Sequence, residues 1–253
     1  MPQGDIILYQ FAVSHYCEKI RWALDYKNID YQCENLLPGF HRRKTRAIAK
    51  YTNVPILQHQ GRVIQNSSDI INYLDMNFAN NLLTPLEAEN QKAALIWEYE
   101  LDKDLGPHVR RYCYQLLLKS PRALIFLLAQ QGPWYGKMLY RVVYPRIREV
   151  LRQSLQMDQN SESASLKIIN RYLDRLSQVY EKSPYLVGNQ FTRADLTAAA
   201  LFAPLFTPAQ YGVKWPSALP YQLQETMAKL RPKLSWGIRL YEKHRRRESA
   251  LLS

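Results

Sequence analysis

The chain has 253 residues, of which 47% are hydrophobic and 22% are charged, and this composition is that of a globular protein with a sizeable core. It excludes a disordered or fibrous chain, and the longest uniformly apolar run, at 123–129, is too short for a membrane-spanning helix. A formal net charge of +12 raises nucleic acid or an anionic surface as a partner. No nucleic-acid motif accompanies this charge, so we interpret the basic cluster at 229–247 as a solvated C-terminal helix face and expect no nucleic-acid partner.

The cysteines and histidines limit the chemistry further. Three cysteines are too few for a disulfide scaffold and are typical of a reducing compartment. The N-terminal stretch lacks a basic region and a small-residue cleavage site, so we expect no export signal and a cytoplasmic location. Five scattered histidines show no metal-ligand spacing, so no metal site is predicted.

The first 83 residues predict a small α/β domain. Short apolar runs predict strands, and apolar side chains at helical spacing predict helices. The strands are expected at 5–11, 29–37, 54–58 and 62–65, and the helices at 14–27, 40–50 and 67–78. The order β-α-β-α-β-β-α predicts a thioredoxin-like domain over residues 1–83, in which ligands bind where strands end and helices begin.

Residues 86–253 have long helical patterns without convincing strands, and they predict a second, all-helical domain. Four prolines should kink or end helices in its first part, namely Pro107, Pro121, Pro133 and Pro145. A polar loop is expected at 158–163, followed by helices at 164–182, 192–206 and 220–248. The fold class is therefore α/β plus all-α.

Four short motifs follow one another along the chain. They are Ser14-x-x-x-x-Lys19-x-Arg21-x-Ala23-Leu24, then Val54-Pro55, then Asn66-Ser67-x-x-Ile70-x-x-Tyr73-Leu74, and finally Leu186-Val187-Gly188 with Phe191-Thr192-x-x-Asp195. Together they resemble the serine-type members of the glutathione transferase superfamily, over most of the chain apart from about 105–165. The resemblance implies a thioredoxin-like domain followed by a helical domain, glutathione as co-substrate, a small hydrophobic electrophile, a role in detoxification and a homodimer.

The resemblance also implies a role for each glutathione-binding position. Ser14 would stabilise the thiolate, and Val54, before a cis-proline at Pro55, would offer its backbone to the cysteinyl part. Asn66 and Ser67 would hold the γ-glutamyl group. The last motif would form a capping box in the helical domain, with Thr192 and Asp195 in a structural role.

The remaining carboxylate, on the glycyl end, needs a cation or an amide, and the matching region offers His41, Arg42 and Asn53. Two positions depart from the family pattern. His15 replaces the usual proline, and Asn66 replaces the usual Glu or Gln and so brings no charge. These departures favour an alternative, a non-catalytic member of the superfamily that binds a partner.

The chemistry expected of Ser14 follows from the pKa of a thiol. A thiol with a pKa of about 8.5 is mostly protonated at neutral pH, and only its thiolate is a competent nucleophile. Lowering that pKa by about 2 units takes roughly 2.7 kcal/mol, more than the roughly 0.3–1 kcal/mol that a helix dipole supplies. A hydrogen bond from the Ser14 hydroxyl at the helix N-terminus is therefore needed.

Three other residues fit this chemistry less well than Ser14, as a base, a nucleophile or a hydrogen-bond donor. His15 cannot serve Ser14 as a base, because adjacent helical residues project about 100° apart. Cys17 is expected to be a packing residue, although glutathione-dependent thiol transfer or isomerisation through Cys17 is the second enzyme hypothesis. Tyr9 falls one residue short of the position from which a strand tyrosine could act, and so points to the other face.

The second substrate is expected in a cleft lined by aromatic side chains of the helical domain. The candidates are Trp97, Tyr112, Tyr114, Trp134, Tyr135, Phe206, Tyr211 and Trp215.

Overall fold

A computed structural model of the chain describes residues 6–245. Within that range, four strands form one sheet: β1 (Ile7–Gln10), β2 (Gln32–Asn35), β3 (Ile56–His59) and β4 (Arg62–Gln65). The sheet order is β2-β1-β3-β4, in which β1 runs parallel to β2 and antiparallel to β3, and β4 runs antiparallel to β3. Three helices accompany it: α1 (His15–Tyr26), α2 (Arg42–Ile48) and α3 (Ser67–Asn77). The predicted thioredoxin-like fold is confirmed.

The alternation of side chains along β1 determines what each face of the sheet contacts. Leu8 belongs to the main core, with Leu57 of β3 and Ile70 of α3. The next residue, Tyr9, points the other way and packs with Ile56 in a small separate cluster. The sheet therefore buries both faces, and α1 and α3 cover the one that faces the helical half.

Eight helices make up the rest of the described chain, so the predicted helical second half is confirmed. They are α4 (Ala88–Glu100), α5 (Gly106–Leu117), α6 (Pro121–Ala129), α7 (Gly136–Ser154), α8 (Ser161–Tyr180), α9 (Arg193–Phe202), α10 (Tyr221–Leu230) and α11 (Ser235–His244). A π-helical turn, Leu101–Leu105, joins α4 directly to α5, and short 3-10 turns follow α9 and α10. Each helix of residues 6–245 is too short or too polar to cross a membrane.

The prolines act differently from one another. Pro121 begins α6, and Pro133 lies in the break before α7. Pro107 is the second residue of α5, where a missing N–H costs little, and Pro145 lies inside α7, which continues past it. No helix ends at Pro107 or Pro145, although α5, which contains Pro107, follows directly on the π-helical turn. The polar loop is also shorter than expected, because α8 already begins at Ser161.

A buried ionic network joins the sheet domain to the helices. Glu98 of α4 lies 2.7 Å from the Lys19 ammonium of α1 and 2.5 Å from the Arg193 guanidinium of α9. Burial alone would raise the pKa of Glu98, but Lys19 and Arg193 together lower it. Next to Arg193, the capping box expected of Thr192 and Asp195 is present.

The C-terminal basic cluster is only partly solvated. Arg245 is buried and forms ion pairs with Glu18, at 3.0 Å, and with Asp25. The expectation of a solvated face is wrong for Arg245, because its partners lie on α1 and tie α11 to the first domain. Arg246 and Arg247 lie outside the described residues.

Candidate functional site

Two cavities adjoin at the N-terminal end of α1. The first, here called the polar cavity, has a volume of about 830 Å³ and is lined by the start of α3 and by α4 with its π-helical turn. The second, the apolar cavity, has a volume of about 580 Å³ and lies among the α1 N-terminus, α2, α5 and α7. Four residues line both: Tyr16, Asn53, Val54 and Arg110. Both volumes lie in the range of small-molecule sites.

Ser14 borders the apolar cavity and is the N-cap of α1. Its hydroxyl oxygen accepts a hydrogen bond from the Cys17 backbone N–H at 3.4 Å. The same hydroxyl lies within hydrogen-bonding reach of the Cys17 thiol, so a ligand sulfur at Ser14 would compete with Cys17 for the hydroxyl proton. The first N–H groups of α1 have no partner within the helix and add a positive electrostatic potential at the same point.

The loop before β3 brings Val54 to the boundary between the cavities. The peptide bond between Val54 and Pro55 is cis, as the resemblance implies. The Gln65 side chain holds this loop, donating to the carbonyl oxygens of Tyr51 at 2.7 Å and Asn53 at 2.9 Å. Nothing in the sequence marks Gln65 as a residue that holds this loop, because the side chain acts mainly through backbone atoms.

The start of α3 lines the polar cavity with Asn66 and Ser67. Asn66 is the N-cap, with a φ of 83°, and its side-chain oxygen accepts from the Ser68 N–H at 3.2 Å. The amide that was expected to face the ammonium of glutathione is therefore already used to cap the helix. Ser67 is buried at the first helical position, where backbone N–H groups favour a carboxylate.

Asp102 brings a carboxylate to the polar cavity, and sequence reasoning missed it. One carboxylate oxygen accepts from the Lys19 ammonium at 2.7 Å and from the Ser68 hydroxyl at 3.1 Å. The other oxygen is buried and has no hydrogen-bond partner within residues 6–245. Burial raises the pKa of Asp102, and Lys19 opposes that effect.

Two tyrosines close to Ser14 have their hydroxyl groups bound elsewhere. The Tyr16 hydroxyl donates to the Asp102 backbone oxygen at 2.7 Å, and burial raises the pKa of Tyr16. Gly106 makes room for this contact, since a Cβ there would lie 2.2 Å from the Tyr16 oxygen. The Tyr9 hydroxyl donates to Gln58 at 2.9 Å, and Tyr9 lines neither cavity.

His15 and Cys17 are both buried next to Ser14. Burial, together with the nearby Arg110 charge, lowers the pKa of His15 to about 3, so its ring is neutral. Its Nε2 atom has no hydrogen-bond partner in the described part of the chain. Burial raises the pKa of the Cys17 thiol, and Cys17 lines neither cavity. A protonated thiol inside the core is a packing group rather than a nucleophile.

The three candidates for the glycyl carboxylate lie at the mouth of the apolar cavity. The His41 Nδ1 atom accepts from the Gly39 N–H at 3.2 Å. Burial and the Arg42 charge lower the pKa of His41, so Arg42 is the cation of this group. Asn53 lines both cavities.

Of the eight aromatic candidates, the structure brings only Tyr114 and Trp215 to the apolar cavity. Trp134, by contrast, is 90% exposed on the surface. Arg110 and Arg146 also line this cavity, and sequence reasoning missed both because nothing in a helical pattern marks which basic residue borders a cavity. Within residues 6–245 no group of three or more His, Cys, Asp or Glu residues is placed to hold a metal ion.

Comparisons with known proteins agree with this architecture. Residues 8–82 match the family model of the glutathione S-transferase N-terminal domain, and residues 135–218 match that of the C-terminal domain. Glutathione S-transferase U4 from Arabidopsis thaliana is 25% identical over 106 residues, which are 42% of this chain and 47% of that protein. The match therefore spans about half the length of this curated relative.

Solved structures show the same fold. Beta-etherase LigF from Sphingobium sp. strain SYK-6 is 19% identical, with a TM-score of 0.63 over 94% of this chain and 95% of that one. Glutathione transferase F7 from Populus trichocarpa is 14% identical, with a TM-score of 0.64 over 94% of each chain. A glutathione S-transferase from Methylobacterium radiotolerans, solved with glutathione sulfonate, is 15% identical, with a TM-score of 0.60 over 98% of each chain. With both domain models matched in order on this fold, the chain belongs to the glutathione S-transferase family.

Proposed function

We propose that this protein is a glutathione transferase that activates the glutathione thiol for attack on a small hydrophobic electrophile. The observation that carries the proposal is the position of Ser14, the N-cap of α1, beside the residues shared by the polar and apolar cavities. Glutathione would lie across the polar cavity, with its sulfur at Ser14 and the electrophile in the apolar cavity. In this proposal residues 1–83 bind glutathione, and residues 86–253 line the second-substrate cavity.

The γ-glutamyl end carries both a carboxylate and an ammonium group. Its carboxylate would bind Ser67 and the N–H groups at the start of α3. Its ammonium would bind the Asp102 carboxylate, which lines the polar cavity and supplies the negative charge that Asn66 lacks. The cysteinyl part would contact the Val54 backbone.

The glycyl carboxylate would bind Arg42, with His41 and Asn53 beside it. The Arg42 guanidinium forms no ion pair or hydrogen bond with another residue of 6–245, so it is available to a carboxylate. His41 is held neutral by burial and by Arg42, which leaves it a hydrogen-bonding role.

The reaction needs no residue to become covalently modified. The thiol proton leaves to water, and the sulfur, held by the Ser14 hydroxyl and the α1 N-terminus, attacks the electrophilic carbon. A carbon–sulfur bond forms, and the leaving group departs with the bonding electron pair. Arg110, which lines both cavities, would add a positive charge near the sulfur.

A homodimer and a cytoplasmic location complete the proposal, together with a role in detoxification. The dimer is supported by an apolar face on α4, where Ile96 is 48% exposed and Tyr99 is 65% exposed. Leu95, on the same surface of α4, is 39% exposed. An exposed apolar face of this kind marks a protein interface in many soluble proteins.

Calorimetry with glutathione and with glutaryl-cysteinylglycine, which lacks the ammonium, tests the site. The wild-type protein should bind glutathione about tenfold more tightly, as expected for one charge-assisted hydrogen bond. Asp102→Asn should bind the two peptides equally, whereas Asp104→Asn, at the exposed neighbouring carboxylate, should keep the preference. No binding of glutathione at millimolar concentration would contradict the proposal and favour a non-catalytic binding protein.

Turnover should then be measured with chlorodinitrobenzene, isothiocyanates and hydroperoxides as electrophiles. The burial of Cys17 argues against thiol transfer through that residue. We therefore expect Cys17→Ala to keep its activity in this panel.

A further inference from the structure

We infer that the second substrate is an amphipathic anion, an apolar ring system carrying one carboxylate, and that Arg146 binds the carboxylate at the apolar cavity. The inference rests on the proposed function, because it assigns a substrate class to the cavity next to the glutathione site.

The walls of the apolar cavity suit a ring system. Side chains from three helices and from the loop before α10 contribute to them, including Leu127, Ile147, Leu151, Trp215, Leu219 and Leu223. A volume of about 580 Å³ accommodates one or two aromatic rings beside the glutathione sulfur. Apolar walls and limited space favour an apolar ring system in the ligand. The cavity also has charged lining residues, which a purely apolar ligand would not use.

The charged residues that line the apolar cavity are all cationic. They are Arg42, Arg110 and Arg146, and no Asp or Glu is among the lining residues. The three arginines are exposed, like Arg171 and Arg175, but their guanidinium groups form no hydrogen bond or ion pair with another residue of 6–245, whereas Arg171 and Arg175 pair with Asp104 and Glu100. Three unpaired cations without a carboxylate among the lining residues make the electrostatic potential of the cavity positive, so the cavity attracts anions, and salt should weaken this attraction because the three side chains are exposed.

The three arginines differ in the ligand group that each of them can bind. Arg42 lies beside His41 and Asn53, where the glycyl carboxylate of glutathione needs a cation. Arg110 also lines the polar cavity and so faces the region of the sulfur. Arg146 lines the apolar cavity alone, on α7 next to Ile147. It is therefore the cation left for an anionic group on the second substrate.

The guanidinium of Arg146 also favours a ligand that accepts hydrogen bonds. A carboxylate has two acceptor oxygens and can bind an arginine fork with both of them. A hydrocarbon substrate would leave the Arg146 donors unused.

The first test compares 4-chloro-3,5-dinitrobenzoate with 4-chloro-3,5-dinitrobenzamide. The two react alike with a thiolate: the sulfur attacks the ring carbon bearing chlorine, the carbon–sulfur bond forms, and chloride leaves with the bonding electrons. After division by the uncatalysed rates with glutathione, kcat/KM should be about tenfold higher for the benzoate, as expected for one charge-assisted hydrogen bond. Equal values, or a preference for the benzamide, would overturn the inference.

Variants of α7 identify the binding residue. Arg146→Gln should lower kcat/KM for the benzoate about tenfold more than it lowers kcat/KM for the benzamide and so remove the benzoate preference, and Arg146→Lys should keep part of the preference. Arg148→Gln is the matched control, because Arg148 is an exposed cation of the same helix that lines neither cavity. A benzoate preference that survives in Arg146→Gln, or is lost in Arg148→Gln, would contradict the assignment.

Binding of two unreactive analogues separates this inference from the proposed function. Calorimetry of 3,5-dinitrobenzoate and 3,5-dinitrobenzamide needs no glutathione and no turnover. Tighter binding of the benzoate, dependent on Arg146, would support the anion site even in a protein that transfers nothing. Turnover of both chlorodinitro substrates without any benzoate preference would contradict the anion site and leave the transferase function standing.

Discussion

Ser14 accepts one hydrogen bond from the Cys17 N–H. In the proposed complex its hydroxyl donates to the glutathione sulfur, so the group that titrates is the sulfur itself. In the wild-type protein, conjugation should rise with pH through an apparent pKa well below that of the free thiol. In Ser14→Ala that apparent pKa should rise by about 1 unit or more, the value of one hydrogen bond to a charged group. Glutathione affinity should change less than kcat, because the helix N-terminus and the Val54 backbone remain.

Pre-steady-state rates measured from pH 5.5 to 9 in Ser14→Ala and in Cys17→Ala check this prediction. The Cys17→Ala profile should match that of the wild-type protein. An unchanged profile and turnover in Ser14→Ala would show that another group holds the thiolate. Loss of activity in Cys17→Ala alone would favour the thiol transferase hypothesis.

His15 makes the stability of the fold sensitive to acid. Because burial lowers its pKa from 6.5 to about 3, only the unfolded chain binds a proton at His15 between those values. Its contribution to stability is therefore complete above pH 6.5 and is lost as the pH falls towards 3. Between pH 7.5 and 5 the free energy of unfolding should fall by about 2 kcal/mol through this residue alone.

Urea denaturation of the wild-type protein and of His15→Gln at the two pH values measures that contribution. The substitution itself changes the free energy of unfolding by the same amount at both pH values. The difference between the two pH values therefore measures only the contribution of proton binding at His15. If His15→Gln and the wild-type protein lose the same free energy between pH 7.5 and 5, His15 does not titrate as described.

At the scale of elements, Glu98 connects three helices, since α4 carries it and its partners Lys19 and Arg193 lie on α1 and α9. Glu98→Gln should cost about 3–5 kcal/mol of unfolding free energy, because it leaves the buried Arg193 without its charged partner and Lys19 with Asp102 alone. Arg193→Gln should cost a similar amount. The double variant should cost less than the sum of the two, because the residues share one interaction.

Chemical denaturation of these variants has a matched control on the surface. The pair Lys233 and Asp174 has a similar separation of 2.6 Å, but both side chains are about half exposed. Removing Asp174 should therefore cost about 0–1 kcal/mol. Equal costs for the buried and the exposed pair would contradict the role given to the network.

The helical domain also shows which features of the structure a sequence pattern does not predict. The apolar spacing of α5 and α7 indicates that one face of each helix is buried, but it does not indicate what that face contacts. Most of the aromatic candidates consequently lie in the core or on the surface, like Trp134, and only Tyr114 and Trp215 line the apolar cavity. Pro145 likewise gives no helix end, because its neighbours in α7 are held by packing.

At the scale of the whole molecule, the apolar face of α4 predicts the oligomeric state. Ile96→Asp should shift the protein from twice the mass of one chain to the mass of one chain, because a carboxylate in an apolar interface loses its hydration. Light scattering after size-exclusion chromatography measures this mass. Val142→Asp is the control, since Val142 is 77% exposed on α7. A monomeric wild-type protein, or dissociation by Val142→Asp, would contradict the proposed α4 interface.

The sequence by itself determined the order of strands and helices in the first 83 residues, the helical character of the rest, and a candidate site at Ser14, Pro55 and Ser67. These features depend on neighbours along the chain: a period of apolar residues, an N-cap, a proline before a strand. Local patterns of this kind can be recognised in the sequence without knowledge of the tertiary fold.

Only the tertiary structure brought Asp102, Arg110 and Arg146 to the two cavities. Each is an ordinary charged residue of a helical segment, and its significance depends on which remote elements its helix faces. The same reason explains Arg245, which belongs to a basic cluster in the sequence and is buried against Glu18, 227 residues away. Packing between distant helices decides which charges face water, which are paired, and which remain available to a ligand.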